Sequence, residues 1–320
     1  RANAIQFRFA DPFQIMQNGP PAIGATITVS LGYAGGPLTP CGTFEIDAYE
    51  LEVGEIGDKF TIKGIQAGVA QAIRTHNAVA YEDQTLVQIA TTVAQRNGLT
   101  VVADAVSPDV PYARITQDME NDIDFLNRVA NQHGYDFQIR NNQLIFYSRS
   151  SLASQSPSGS LTRNLVHRAR FEHQTLSQKS YSAARVVYFE PSLKEPISGE
   201  ATDGDVSTPD VLKSVERVEN AQQATLKAQG YLQEHNKHKH RSTIYMPGTM
   251  RWRSGQTCNV QGFGIFDQTT FIVEKARHTL DKNGWITELS LNIPVQQVAQ
   301  QKTIIKEPTL AEPQLDQPGL

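Results

Sequence analysis

Alternation of apolar and polar residues dominates the first 66 positions. Ile5, Phe7 and Phe9 alternate with Ala4, Gln6 and Arg8, a period of two that suits a half-buried strand. Ile27, Val29 and Leu31 do the same in "ATITVSLGY". In "GTFEIDAYELEVG" the inward set begins as Phe44, Ile46 and Ala48, then changes phase to Tyr49, Leu51 and Val53. A phase slip inside one strand predicts a bulge or sharp bend. "DKFTIKGI" closes the set through Phe60, Ile62 and Ile65. Short strands at close spacing, broken by Gly and Pro, predict a barrel or sandwich.

The period then lengthens. Leu86, Ile89, Ala90, Val93 and Ala94 recur at helical spacing within 83–102, and Asn97-Gly98 ends that helix before a short strand. A second helix is predicted in "QDMENDIDFLNRVANQHGYDFQIRNNQLIFY" (117–147), with Ile123, Leu126, Val129 and Ala130 on one face. Asn121 is its N-cap candidate, Asp122 and Asp124 favour the positive end of its dipole, and Gly134 suits the left-handed residue that stops it. Tyr135, Phe137 and Ile139, then Leu144 and Phe146, predict two strands joined by a turn at 140–143. This helix–hairpin is too small to stand alone and must pack on something larger.

A Ser-rich stretch at 148–160 reads as a linker and is the clearest domain boundary. Beyond it, "SYSAARVVYFEP" predicts a strand and the polar 192–210 segment a mobile surface loop. A long helix is expected over 213–237, with Val215, Val218, Ala221, Leu226 and Leu232 among its apolar positions. A run of strands follows from "TCNVQG" to "ELSLNI", with Asn283-Gly284 as the strongest hairpin signal. The segment from Val295 is rich in proline and predicted to be extended.

Bulk composition narrows the function classes. The 320 residues are 39% hydrophobic, enough for two or three domains with real cores. A net charge of −4 gives no general reason to bind nucleic acid, and no apolar run is long enough for membrane insertion as a helix. The N-terminus has no initiator Met, as expected after processing or where the start is missing. Cys41 and Cys258 stand far apart, which argues against a disulfide framework and for small buried apolar side chains in a reducing cytoplasm.

Each candidate for chemistry has a plainer explanation. His235, His238 and His240 in "HNKHKH" invite a metal, but a basic helix end accounts for them, and a helix would turn His240 away from the other two. Glu45, Asp47, Glu50 and Glu52 are four carboxylates on one polar strand face. Glycoside hydrolysis would need one of them in an apolar setting, whereas a solvated barrel exterior or channel wall needs nothing more. "GFGIFD" lacks the Lys-Ser/Thr of a phosphate loop, and neither cysteine region contains a nucleophile elbow. "KHKHRSTIYMPGTMRWR" is basic and carries aromatics, as an RNA patch would, but a charged barrel edge or subunit contact explains it as well. No catalytic, cofactor-binding or metal-ligating residue is assigned, and no cofactor is expected.

The segment "ITQDMENDIDFLNRVANQHGYDFQIRNNQLIFY" closely resembles one in late-control D-type, or T4-type, baseplate hub proteins of contractile phage tails, which are related to the hub part of VgrG. The matching positions are Gln117, Asp122, Asp124, Phe125, Leu126, Ala130, Gly134, Phe137 and Leu144. "GATITVSLGY", "CGTFEIDAYELEVG" and "DKFTIKG" look like that family's first barrel, and "TLVQIATTVAQRNGL" like the helix after it. The stretch from "MPGTMRWR" to "ITELSL" looks like its second barrel. The family's first strand region would lie before Arg1. VgrG-type hubs continue into a further barrel and β-helix.

The resemblance implies a mainly β fold with α+β insertions. Its expected parts are a tube-like β-barrel over 1–75 lacking its start, a LysM-like helix–strand unit over 76–108, the helix–hairpin over 109–150, a linker at 151–160, a second tube-like barrel over 161–295 with the long helix, and a Pro-rich extended tail at 296–320. It further implies a non-enzymatic homotrimer that adapts a sixfold tail tube to a threefold spike. Its expected partners are the tail tube or tube-initiator protein, the central spike, baseplate wedge proteins and the tape measure protein. Its place would be the tail baseplate of a virion, bacteriocin or other injection particle, after synthesis in the bacterial cytoplasm. The rival expectations are a tail-associated peptidoglycan-cleaving enzyme, which needs a convergent carboxylate or metal set, and a carbohydrate-binding module, which needs aromatics that 83–102 lacks.

Overall fold

A computed structural model describes residues 3–55, 57–69, 74–103, 111–140, 142–173, 180–191, 194–204, 206, 209–237, 239–267 and 269–293. The Pro-rich segment beyond 293 and His238 lie outside them. The fold is mainly β with α+β insertions, and its two larger sheets curl as half-barrels.

The first sheet holds β1 (Ala4–Ala10), β2 (Thr26–Leu31), β3 (Thr39–Glu52) and β4 (Lys59–Gln66), in the order β1-β4-β3-β2, antiparallel throughout. A short helix, α1 (Ile15–Asn18), crosses between β1 and β2. The expected slip is a register shift between Ile46 and Ala48, with Asp47 as the extra residue, but of the set expected inward after it Leu51 and Val53 are exposed. It lets β3 bend while Ile46 and Tyr49 stay on the apolar face with Phe60 and Ile62.

The middle region starts with β5 (His76–Gln84), α2 (Leu86–Arg96) and β6 (Thr100–Ala103), then β7 (Tyr112–Asn121) and α3 (Asp122–Gln132). It ends with β8 (Tyr135–Arg140), β9 (Gln143–Ser148) and a short helix, α4 (Arg149–Ser154), within the Ser-rich stretch. Helix α2 starts in a capping box, since Gln88 N donates to Thr85 Oγ1 and Thr85 N to Gln88 Oε1. Asn121 caps α3 as predicted, and Gly134 after it has φ +72°. Asn142, at φ +61°, turns β8 into β9. The β5–β7 pair was not foreseen, because small and polar residues interrupt its alternation. Both helices press their apolar faces on one shared core, where Phe125 stacks on Tyr81 at 5.3 Å.

The second large sheet has β10 (Ser160–Thr162) and β11 (Arg168–His173) at its edges. A separate unit follows β11: β12 (Ala183–Glu190), β13 (Glu195–Thr202), β14 (Val211–Val215) and α5 (Ala221–Asn236). The chain then returns to the large sheet through β15 (His240–Pro247), β16 (Thr257–Gln261), β17 (Thr270–Asp281) and β18 (Gly284–Asn292). The sheet order is β10-β16-β17-β18-β15-β11. The Asn283-Gly284 hairpin forms, with Gly284 pairing Asp281 across a Lys282-Asn283 loop.

Two expectations are corrected here. The polar 192–210 segment contains β13, paired along its length with β12. Its inward positions are small because α5 lies directly on them: a Cβ on Gly199 would stand 2.2 Å from the Thr225 backbone nitrogen. The long helix starts at Ala221, not near 213. Val211–Val215 add to β12 as a parallel strand, and Asn220 caps the helix by accepting from Gln223 N at 2.9 Å. Helix α5 also docks on the middle region, where a Cβ on Gly230 would meet the Gln132 carbonyl at 2.5 Å.

Candidate functional site

The central geometric fact is a repeat. Numbered within their own halves, β1 to β4 have the order 1-4-3-2. So do β15, β16, β17 and β18, since β16-β17-β18-β15 is the same path read from the other edge. All these contacts are antiparallel, and the long third strand of each set breaks register against the fourth, at Ile46/Ala48 and at Val273/Lys275. In the second sheet the first and second members are flanked by β11 and β10. Their counterparts β1 and β2 are edge strands, with no further strand beside them among the described residues.

The two sheets meet inside the chain. Tyr33, just past β2, donates its hydroxyl to the Gly248 carbonyl at 2.9 Å and lies 5.3 Å from the Trp285 ring. Gly248 ends the "MPG" turn after β15. A Cβ there would sit 2.0 Å from the indole, so this position must be glycine while Trp285 keeps its place.

The motif positions Gln117 and Asp122 also find their reason. The Asp122 side chain is almost wholly buried and gathers α2, α3, β5 and β7. It accepts from Arg96 at 2.9 Å, Gln117 at 2.8 Å, Asn77 at 3.0 Å and Asn97 at 2.6 Å. Asp122 therefore does more than sit in the first turn of α3. It pairs with the half-buried Arg96 and locks two helices onto the β5–β7 strand pair. Sequence reasoning missed this role, and the only signal was the spacing of Gln and Asp around the helix start.

The other candidates settle as follows. Glu50 pairs with Lys63 at 2.6 Å, Glu52 with Lys59 at 3.5 Å, and Glu45 accepts from the Gly68 amide at 3.0 Å. The Lys63 ammonium holds the Glu50 carboxyl below its usual range. Cross-strand lysines thus make this face mixed in charge rather than uniformly acidic. His235 packs edge-on against Tyr181 at 5.5 Å, His240 lies in β15, and no group of metal-holding side chains occurs among the described residues. "GFGIFD" closes the core: Phe263 and Phe266 pack on Phe171 at 5.0 and 4.8 Å. The basic stretch "KHKHRSTIYMPGTMRWR", expected at a barrel edge or subunit contact, contains β15, an interior strand between β18 and β11. Its Lys239 is buried against Asp203 at 3.0 Å. Cys258 is buried as expected, but Cys41 is half-exposed on β3.

No family model matches the chain. Among characterised sequences it is 31% identical over 156 residues to the "Probable baseplate hub protein" of Escherichia phage 186, covering 47% of this chain and 39% of that protein. The chain is similar to phage baseplate hub proteins. The fold agrees with a 43 kDa tail protein of prophage MuSo2 from Shewanella oneidensis, at TM-score 0.71 and 19% identity over 92% of this chain and 90% of that one. An E. coli component of the type VI secretion system has the same fold at TM-score 0.55 and 14% identity, over 93% of this chain and 71% of that one. The match to the phage 186 hub spans only about two fifths of that relative's length. The resemblance to baseplate hub proteins therefore holds in sequence over about half of the chain, and the fold is one shared with phage tail proteins.

Proposed function

We propose that this chain is a structural baseplate hub, or hub-like tail protein, of a contractile phage tail or a related injection particle. In that role it is a homotrimeric adaptor between a sixfold tube and a threefold spike. One observation carries the reading: a single chain holds the same four-strand order twice. Three chains would supply six sheets of one topology, enough to meet six tube subunits, while the rest of the trimer keeps threefold symmetry. The edges β1 and β2, unpaired among the described residues, favour closure, because an open sheet edge is a template for pairing and a ring covers it. On this reading the first sheet and the core of the second are the two tube-like domains, and the LysM-like and helix–hairpin units decorate them. The tube protein would contact one end and the spike the other, with wedge and tape measure proteins beside them. The work is done by interface burial, and no catalysis is needed.

Light scattering on the purified chain, with electron microscopy of the assembled particle, tests this. The expected result is three times the chain mass and a ring in which first and second sheets alternate. Six chains per ring, or a ring built from only one of the two sheets, would overturn the adaptor.

A further inference from the structure

A cavity of about 440 Å³ opens between the β6-β9-β8 sheet and the second large sheet. Gln138, Arg140 and Tyr147 form one side, and the turn from Arg253 to Gln256 forms the other. The two sides are fitted to each other. Gly255 has φ +84°, and a Cβ there would stand 2.8 Å from Gln138 Nε2. That amide donates to Ser254 Oγ at 3.1 Å, and Ser254 in turn donates to the Glu274 carbonyl at 2.7 Å.

Two guanidiniums line this space, those of Arg140 and Arg253. Neither has a carboxylate within ion-pair distance among the described residues, whereas Arg96, Arg128, Arg149 and Arg185 are all paired. Partial burial and then the Arg253 charge push the Arg140 pKa down. Two half-buried cations that line one cavity, with no counter-ion among the described residues, form a site suited to anions.

The lining favours one class of anion. Gln138 and Tyr147 are bonded to each other at 2.9 Å, Gln155 and Gln256 add amides that suit peptide groups, and Ile145 and Leu152 suit aliphatic carbons. A nucleic-acid backbone would need a longer run of cations, and the chain's net charge of −4 opposes a long polyanion. We propose that this cavity receives an extended acidic peptide segment of a partner protein, with two of its carboxylates seated on Arg140 and Arg253. The proposal does not depend on the trimeric ring.

Fluorescence anisotropy tests it with a labelled octapeptide of alternating Glu and Gly. The controls are its Gln/Gly analogue and an oligothymidylate of equal charge. Saturable binding of the acidic peptide is expected. It should weaken roughly tenfold or more in the Arg140→Gln, Arg253→Gln double variant, fall with added salt, and be unchanged by Arg114→Gln on exposed β7. Each single variant should weaken binding while leaving the thermal midpoint equal or higher, because it relieves a repulsion, so the singles decide the matter if the double variant fails to fold. Absence of saturable binding, equal binding by the variants, or an oligothymidylate that binds as tightly as the peptide would overturn the proposal.

Discussion

His133 shows how one residue ties stability to pH. It is buried at the end of α3, with Tyr112 edge-on at 5.0 Å. Its Nδ1 lies 2.8 Å from the Val129 carbonyl, so that nitrogen carries the proton, while Nε2 is buried with no partner among the described residues. Burial pushes its pKa from 6.5 down to about 4. Between those values the unfolded chain binds the proton and the folded one does not, so stability falls as pH drops from 6.5 toward 4. The loss should reach on the order of 3 kcal/mol near pH 4. Urea titrations across that range should show it, and His133→Phe should flatten the curve. Gly248 makes a steric prediction at the same scale. Gly248→Ala forces a methyl into the Trp285 ring and should cost about 2 kcal/mol or more, read as a lower thermal midpoint with altered Trp emission.

At the scale of elements, the sharpest test is the Asp122 network. Asp122→Ala leaves Arg96, Gln117 and Asn97 without their shared acceptor and should destabilise the middle region by about 3 kcal/mol in chemical denaturation. The Asn220 cap is worth about 1 kcal/mol, so Asn220→Ala should lower the midpoint only slightly. How much of this was legible in the sequence depended on where each element turns its side chains. Strands β1 and β2 alternate in sequence, because one face packs and the other is wet, and the phase slip in β3 marks its bulge. The capped helices α2 and α3 carry strong stripes and stop signals. Strand β13 stayed hidden because its inner face meets α5 through Gly199 and Ala201, which carry no hydrophobic pattern. Strand β14 reads as the start of the helix because Val215 and Val218 happen to fit a helical period. The Asp122 network was equally hidden, since a buried carboxylate and an exposed one read alike in sequence.

The whole molecule rests on a repeat of strand order that hydrophobic alternation alone did not display, though the family resemblance implied two like barrels. Hydrophobic alternation predicts strands but not their order, so two sheets with unlike residues share a path that only the pairing reveals. Among the described residues Tyr33 joins them through one hydroxyl bond and one ring contact. Tyr33→Ala removes both. The expected outcome is that thermal unfolding, single in the parent, separates into two steps, with Trp285 emission following the second sheet. A single unshifted transition would mean that other contacts hold the sheets together.

The interruption of the second sheet sets the order in which a growing chain can fold. Every strand of the first sheet has been made once Gln66 is added, so it can close early. Strands β10 and β11 must wait for β15 and β16, with the whole β12–α5 unit translated between them. From β10 to β16 the separation is roughly a hundred residues, about 5–20 s of synthesis at ordinary ribosome speed. Throughout that interval the nascent chain carries two orphan strands beside finished neighbours. Chains stalled on the ribosome soon after Asn236 emerges should therefore resist protease in the first sheet and middle region, yet be cut within 160–173. Cleavage there should cease only when β16 has cleared the exit tunnel.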